Sequence, residues 1–300
     1  MLAIVLRLFI LFELAVYTTL ALRYFDASAL GAGLFAVAGM LGLRLWITGL
    51  TYVYAWFYRS PWPLLGWWPA MRMVIAEYLA FIANFVLISP FERWWMGADR
   101  LRPSDERPVL LLINGYGCSR AAWWWLRRRL EGAGWVVATI SLEPIYTSIE
   151  NYVEHVSRRI DEVLAATGAK QVILIGHSMG GLVARAYLRR YGSARVKRLL
   201  TLGTPHAGSE LARAGIGENA RQMTPGSAWL KALASEAPAA DTLTIFSPHD
   251  NFVMPQSNLQ WPGAQSRTID GLGHLAMLYS PRVAAAMLDG LRPLTEAGAV

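Results

Sequence analysis

The chain has 300 residues, a formal net charge of +7, a hydrophobic fraction of 54% and a single cysteine. That length allows one large domain or two small ones, and the lone Cys118 excludes an internal disulfide and a cysteine-rich metal site. No basic block is interleaved with aromatics, and Arg127-Arg128-Arg129 would fan over different faces of a helix, which argues against a nucleic-acid partner.

Apolar residues crowd the first hundred positions. Leu2 to Leu22 is about one bilayer's worth of apolar chain, interrupted by Arg7 and Glu13. A signal peptide would be shorter and carry its charge ahead of the apolar core, so a retained helix is expected, with cleavage after Ala29 as the alternative. Leu30 to Phe57 is a second run, with Arg44 midway and Gly31, Gly39, Gly42 and Gly49 offering close helix contact. Pro61-Trp62-Pro63 breaks the helix. A third run, Met73 to Ile88, places Glu77 and Asn84 on one face and is bracketed by Trp67-Trp68 and Trp94-Trp95. Such brackets are like the aromatic belts of a crossing helix; the competing reading is a helix lying in the interface or packed on the following domain. Arg7, Glu13, Arg44 and Glu77 are costly in lipid, so they are expected to face a neighbouring helix or one another in an anchoring role. Arg93, Arg100, Arg102 and Arg107 outnumber Arg59 and Arg72 of the preceding loop, so the rest of the chain is expected on the cytoplasmic side of the membrane.

Near Pro103-Ser104-Asp105 the composition shifts, dividing a helical membrane module at 1–104, with two or three crossings, from a second domain at 105–300. Val109–Ile113 reads as a buried strand ending in the loop Asn114-Gly115-Tyr116-Gly117. A helix over Ala121–Leu130, a strand over Trp135–Ser141 and a helix over Ile149–Ala166 follow. The strand Gln171–Ile175 runs into Gly176-His177-Ser178-Met179-Gly180-Gly181 and a helical pattern through Arg190. Strands are expected at Val196–Leu202, Leu243–Phe246 and Ser266–Ile269, with a strand-free cap at 207–240. Strands alternating with helices give an α/β domain with a mostly parallel sheet of about six strands, whose post-strand loops share one edge.

That edge gathers the chemistry. A Gly-x-Ser-x-Gly turn between strand and helix is a nucleophile elbow, exposing Ser178 at a helix N-terminus. A serine needs a base, and the base an orienting acid. Of the five histidines, His274 follows the last strand on a glycine-rich loop, and is preferred over His206. Asp250 follows the strand ending at Phe246, whereas Asp241 precedes it at the wrong edge and Asp270 reads as a turn former. The backbone N–H groups of Tyr116 and Met179 are the expected oxyanion donors. Met223, Trp229 and Leu230 of the cap are candidates for an acyl pocket, against an ordinary core role for each.

The elbow, the segment Thr201-Leu202-Gly203-Thr204-Pro205-His206-Ala207-Gly208-Ser209, Asp250 and His274 together resemble a bacterial lipase/esterase of the α/β-hydrolase superfamily, over residues 105 to 300. The resemblance implies hydrolysis of lipid-like carboxylic esters through an acyl-enzyme, without a cofactor or metal. The chain departs from the family in carrying Asn114-Gly115 where such lipases usually have His-Gly, which changes the brace of the oxyanion loop. An acyltransferase, thioesterase or phospholipase would use the same triad; an inactive membrane scaffold would show a degraded one.

Overall fold

A computed structural model describes residues 1–104, 107–234 and 240–292. The domain boundary expected at 105 and the cap residues 235–239 lie outside the described residues. Three segments, Leu2–Tyr24, Ala29–Phe57 and Trp67–Met96, are helices long and apolar enough to cross a membrane. We label α1 Leu2–Tyr24, α2 Ala29–Phe57 and α3 Trp67–Ile82; α3 continues through a wider π turn at Ala83–Ile88 into the short α4, Glu92–Met96. Ser28 starts α2 by accepting the Gly31 N–H at 3.2 Å.

α1 and α2 form a close hairpin. A side chain at Gly39 would lie 2.9 Å from the Tyr17 ring, so the glycine is what lets the helices meet. Across the seam Arg44 and Glu13 form a buried, two-pronged ion pair. Arg7 is instead exposed, and Glu77 turns away from the hairpin to the α/β unit. Both open ends of the hairpin are tied to that unit: the Met1 ammonium to Glu143 at 2.8 Å, Thr51 to Asn251 at 2.7 Å, and the Ser60 N–H to Gln256 at 3.0 Å.

α3 and the segments on either side of it meet the α/β unit at three points. The loop before it meets His249 through the Pro63 carbonyl at 3.1 Å. Glu77 at its middle bonds the backbone at Leu275, and Asn84 near its end points to Cys118 at 3.8 Å. Its outer face leaves Trp67, Trp68, Ile75, Leu79 and Leu87 exposed.

The α/β unit is built on six parallel strands: β1 Val109–Ile113, β2 Val137–Ile140, β3 Val172–His177, β4 Val196–Leu202, β5 Asp241–Phe246 and β6 Gln265–Thr268. Their order is β2-β1-β3-β4-β5-β6. Successive strand residues face opposite sides, and both sides are apolar because helices cover both. Val109, Leu111 and Ile113 pack under α6 (Ile149–Thr167) and α7 (Met179–Tyr191); Leu110 and Leu112 pack under α5 (Trp124–Gly132) and α10 (Pro281–Leu291). Two short cap helices, α8 (Glu218–Gln222) and α9 (Ala228–Ala234), fall between β4 and β5. This is the α/β-hydrolase fold, preceded by long apolar helices.

Candidate active site

β3 ends at His177 and α7 begins at Met179, so Ser178 must reverse the chain in one residue. It does so at φ 55°, ψ −127°, a conformation unfavourable for a side-chain-bearing residue, fixed by its N–H donating to the Leu202 carbonyl at 2.8 Å. The flanking glycines are sterically required: a Cβ at Gly176 would strike the Gly181 backbone, and one at Gly180 the Ile113 carbonyl. Ser178 borders a cavity of about 200 Å³, walled mainly by Tyr116, Pro205, Leu211, Ala220, Met223 and Phe252.

Asp250 follows β5 and His274 follows β6. The Asp250 carboxylate is fully buried; Oδ2 accepts from His274 Nδ1 at 2.7 Å, while Oδ1 accepts the N–H groups of Phe252 and Val253 at 2.7 and 2.8 Å. Those bonds satisfy the charge and fix the carboxylate plane. Burial opposes a charged His274, but Asp250, by its charge and its hydrogen bond, outweighs it, with the Glu77 charge adding in the same sense. The imidazole is therefore held above the usual histidine range. Phe252 stacks on the His274 ring at 5.1 Å, and the His177 ring, next to the serine, stands 4.6 Å away.

The other histidines have other partners. His177 is buried and donates from Nε2 to the His274 carbonyl at 3.2 Å; burial first, then the neighbouring His274 charge, keeps it neutral. His206 sits in the core against Arg185, Thr201 and the Trp261 ring, its pKa pushed down by burial and by Arg185. His249 donates from Nε2 to Pro63 and accepts the Gly271 N–H at Nδ1, 3.2 Å away. Asp241 starts β5 at the far edge and pairs with Arg198.

Tyr116 follows β1 and Met179 opens α7 directly after Ser178, so both stand at the same edge of the sheet as the serine. A Cβ on Gly115 would lie 2.9 Å from that of Ser178, so the loop rests against the elbow. Asn114 braces it: Nδ2 donates to the Cys118 and Gly115 carbonyls at 2.7 and 3.1 Å, and Oδ1 accepts the Leu142 N–H at 3.3 Å. Of the cap candidates, Met223 lines the cavity. Trp229 turns to α6 and donates to Glu150 at 2.7 Å, and Leu230 packs in the core beside Leu233, as in the alternative role given to both.

Four further residues shape the site. Asn114 was visible only as a departure from the familiar loop. Arg185 holds the His206 and Leu233 carbonyls at 3.1 and 3.0 Å, tying α7 to the cap. Asn251 and Glu77 reach the backbone of the His274 turn. Glu77 was marked only as a charge costly in lipid, and Asn251 only by its position beside Asp250.

A family model described as alpha/beta hydrolase fold matches residues 108–224. Triacylglycerol lipases of Pseudarthrobacter phenanthrenivorans and Burkholderia plantarii are each 37% identical over 112 residues, 35% of this chain. The chain spans about a third of the length of these curated relatives (35% and 31%). Among solved structures, the mature lipase BlEst2 of Bacillus licheniformis superposes with a TM-score of 0.55 at 18% identity, covering 64% of this chain and 93% of that one. Lipase B of Aspergillus fumigatus gives 0.53 at 15%, covering 62% and 52%.

Proposed function

Because the chain carries an α/β-hydrolase domain with lipase-like relatives, we propose that it is a membrane-anchored serine hydrolase of lipid-like carboxylic esters. The observation that carries this reading is the serine at a strained elbow, whose neighbour His177 stands 4.6 Å from the His274 ring of a hydrogen-bonded His274–Asp250 pair.

In the proposed reaction Ser178 Oγ attacks the ester carbonyl carbon while its proton passes to His274 Nε2. The carbonyl electron pair moves onto oxygen, where the Tyr116 and Met179 N–H groups receive it. Collapse expels the alcohol, which takes the proton back from His274, leaving an acyl-Ser178. Water repeats the sequence: His274 accepts its proton, the acid departs and Ser178 recovers its hydrogen. Asp250 holds the Nδ1–H tautomer and stabilises the imidazolium in both halves. The apolar cavity favours an acyl group over a polar one, and anchoring raises the local concentration of lipid substrate.

The same reading assigns α1 and α2 to a two-crossing hairpin in a bacterial inner membrane. Each is at least roughly 34 Å long at 1.5 Å per residue, enough to cross. α3 lies at the interface along the hydrolase domain, in keeping with its contacts at start, middle and end. With both hairpin ends on the domain side, the arginine excess there supports a cytoplasmic domain. In sealed inside-out vesicles an external protease should digest the domain; its protection there would overturn the orientation.

The catalytic reading is tested with p-nitrophenyl esters of graded chain length. The purified protein should hydrolyse them and Ser178→Ala should not, and a fluorophosphonate probe should label Ser178 alone. Equal rates for the two proteins would remove the assignment.

A further inference from the structure

We propose that Glu77, carried on α3, is a positioning residue of the active site: its carboxylate fixes the backbone turn that sets the His274 imidazole against Asp250. The proposal rests on the hydrolase reading above, and gives the N-terminal helices a part in the chemistry beyond tethering.

Three successive backbone N–H groups of the turn are held by side chains. The His274 N–H donates to Asn251 Oδ1 at 3.0 Å, the Leu275 N–H to Glu77 Oε1 at 3.0 Å, and the Ala276 N–H to Glu77 Oε2 at 2.8 Å. The last two open the 3₁₀ turn Ala276–Tyr279, where N–H groups lack partners within their own turn. Glu77 therefore acts as a cap delivered from a helix about 200 positions earlier in the chain. Asn251 is braced in turn from α2: its Nδ2 donates to Thr51 Oγ1 at 2.7 Å, and that hydroxyl donates to the Thr48 carbonyl at 2.8 Å. Both apolar helices thus converge on the residue that carries the base.

The fit is close. A Cβ on Gly273 would stand 2.5 Å from Glu77 Oε2 and 2.6 Å from the Tyr52 hydroxyl, so the glycine before the histidine is what lets the turn lie flush on α2 and α3. Glu77 itself has no solvent exposure. A buried carboxylate is costly unless its oxygens are satisfied, and apolar packing would hold a helix there without that cost. What packing lacks is an acceptor for each N–H, which the two Glu77 oxygens supply; burial pushes the carboxyl up to about 7, so its negative charge behind the imidazole is complete only above that pH. The groups facing His274 are Asp250 from the loop after β5, His177 from the end of β3, Phe252 stacked on its ring, and Glu77 from α3.

The test uses the full chain in detergent or lipid discs, comparing wild type with Glu77→Gln, Glu77→Ala and Thr51→Val. Glu77→Gln keeps one acceptor oxygen and loses the charge. It should fold, keep its KM, and lose about tenfold in kcat, against about 100-fold for Glu77→Ala, the range expected when a reacting group is displaced by about an ångström. In both, the acid limb of the pH–rate profile should move to lower pH, because the Glu77 carboxyl, which ionises at about 7, no longer favours the imidazolium; a merely structural role would leave that limb in place. Thr51→Val, nearly isosteric, should lower kcat severalfold at unchanged KM, and it decides the matter if the Glu77 variants fail to fold. A folded Glu77→Gln protein with wild-type kcat and an unmoved acid limb overturns the inference, as does, in the absence of folded Glu77 variants, an unaffected Thr51→Val. Wild-type protein that neither hydrolyses esters nor takes the fluorophosphonate would instead overturn the parent reading, and this one with it.

Discussion

In the proposed reaction His274 acts as a base only when unprotonated, so its surroundings would set the working pH. Burial would ease the proton off, but the Asp250 charge and hydrogen bond win, and a raised pKa keeps the imidazolium to higher pH. The rate kcat/KM should therefore fall as pH drops, along a limb lying above the ordinary value of 6.5. Asp250→Asn should shift that limb to lower pH and cut kcat by about 10⁴, mainly by releasing the tautomer; pH–rate profiles of the two proteins check both. Cys118, in the oxyanion loop, reports on the same neighbourhood. Burial pushes its thiol up to about 12, so thiol reagents should leave native activity unchanged and react only on unfolding, which mass spectrometry would read. Ser178, Asp250 and His274 are candidates legible in the sequence because each follows an apolar run of strand length, and a parallel sheet brings such positions to one edge. Glu77 is not. Its partners are backbone N–H groups, which leave no mark on side-chain pattern, and the helix that carries it reads as a membrane segment.

Among elements, the cap departs most from its reading. Apolar composition named Met223, Trp229 and Leu230 alike, but short helices turn their residues in different directions, and composition cannot say which. α9 presents Leu230 to the core and Trp229 to Glu150, leaving Met223 of the three on the cavity wall. At about 200 Å³ that cavity lies below the usual range for ligand pockets, about 300 Å³ upward, so short acyl chains should be preferred. Met223→Ala should move the chain-length optimum upward and Met223→Trp downward, measured as kcat/KM across an ester series. The sheet itself was far more legible: β1 and β4 match their expected spans and the rest differ by a few residues at their ends, where hydrogen bonding rather than composition sets the limit.

For the whole molecule, the helical hairpin and the hydrolase domain are one piece of architecture. Its internal seam depends on Glu13 and Arg44, two charges that neither lipid nor water can solvate where they lie. Removing one should leave the other stranded: Glu13→Leu should destabilise the hairpin by about 3–5 kcal/mol, with Glu13→Leu/Arg44→Leu recovering most of it. Denaturation in mild detergent, followed by ester hydrolysis, would measure the difference. The wide exposure of Trp67 and Trp94, 75% and 83%, carries a further consequence. These indoles flank a segment roughly 45 Å long at 1.5 Å per residue. If that segment is laid flat beside the domain, both ends sit at one depth, and lipids brominated at a shallow position in a single leaflet should quench the fluorescence of both. A spanning orientation would instead make each indole answer to a different leaflet.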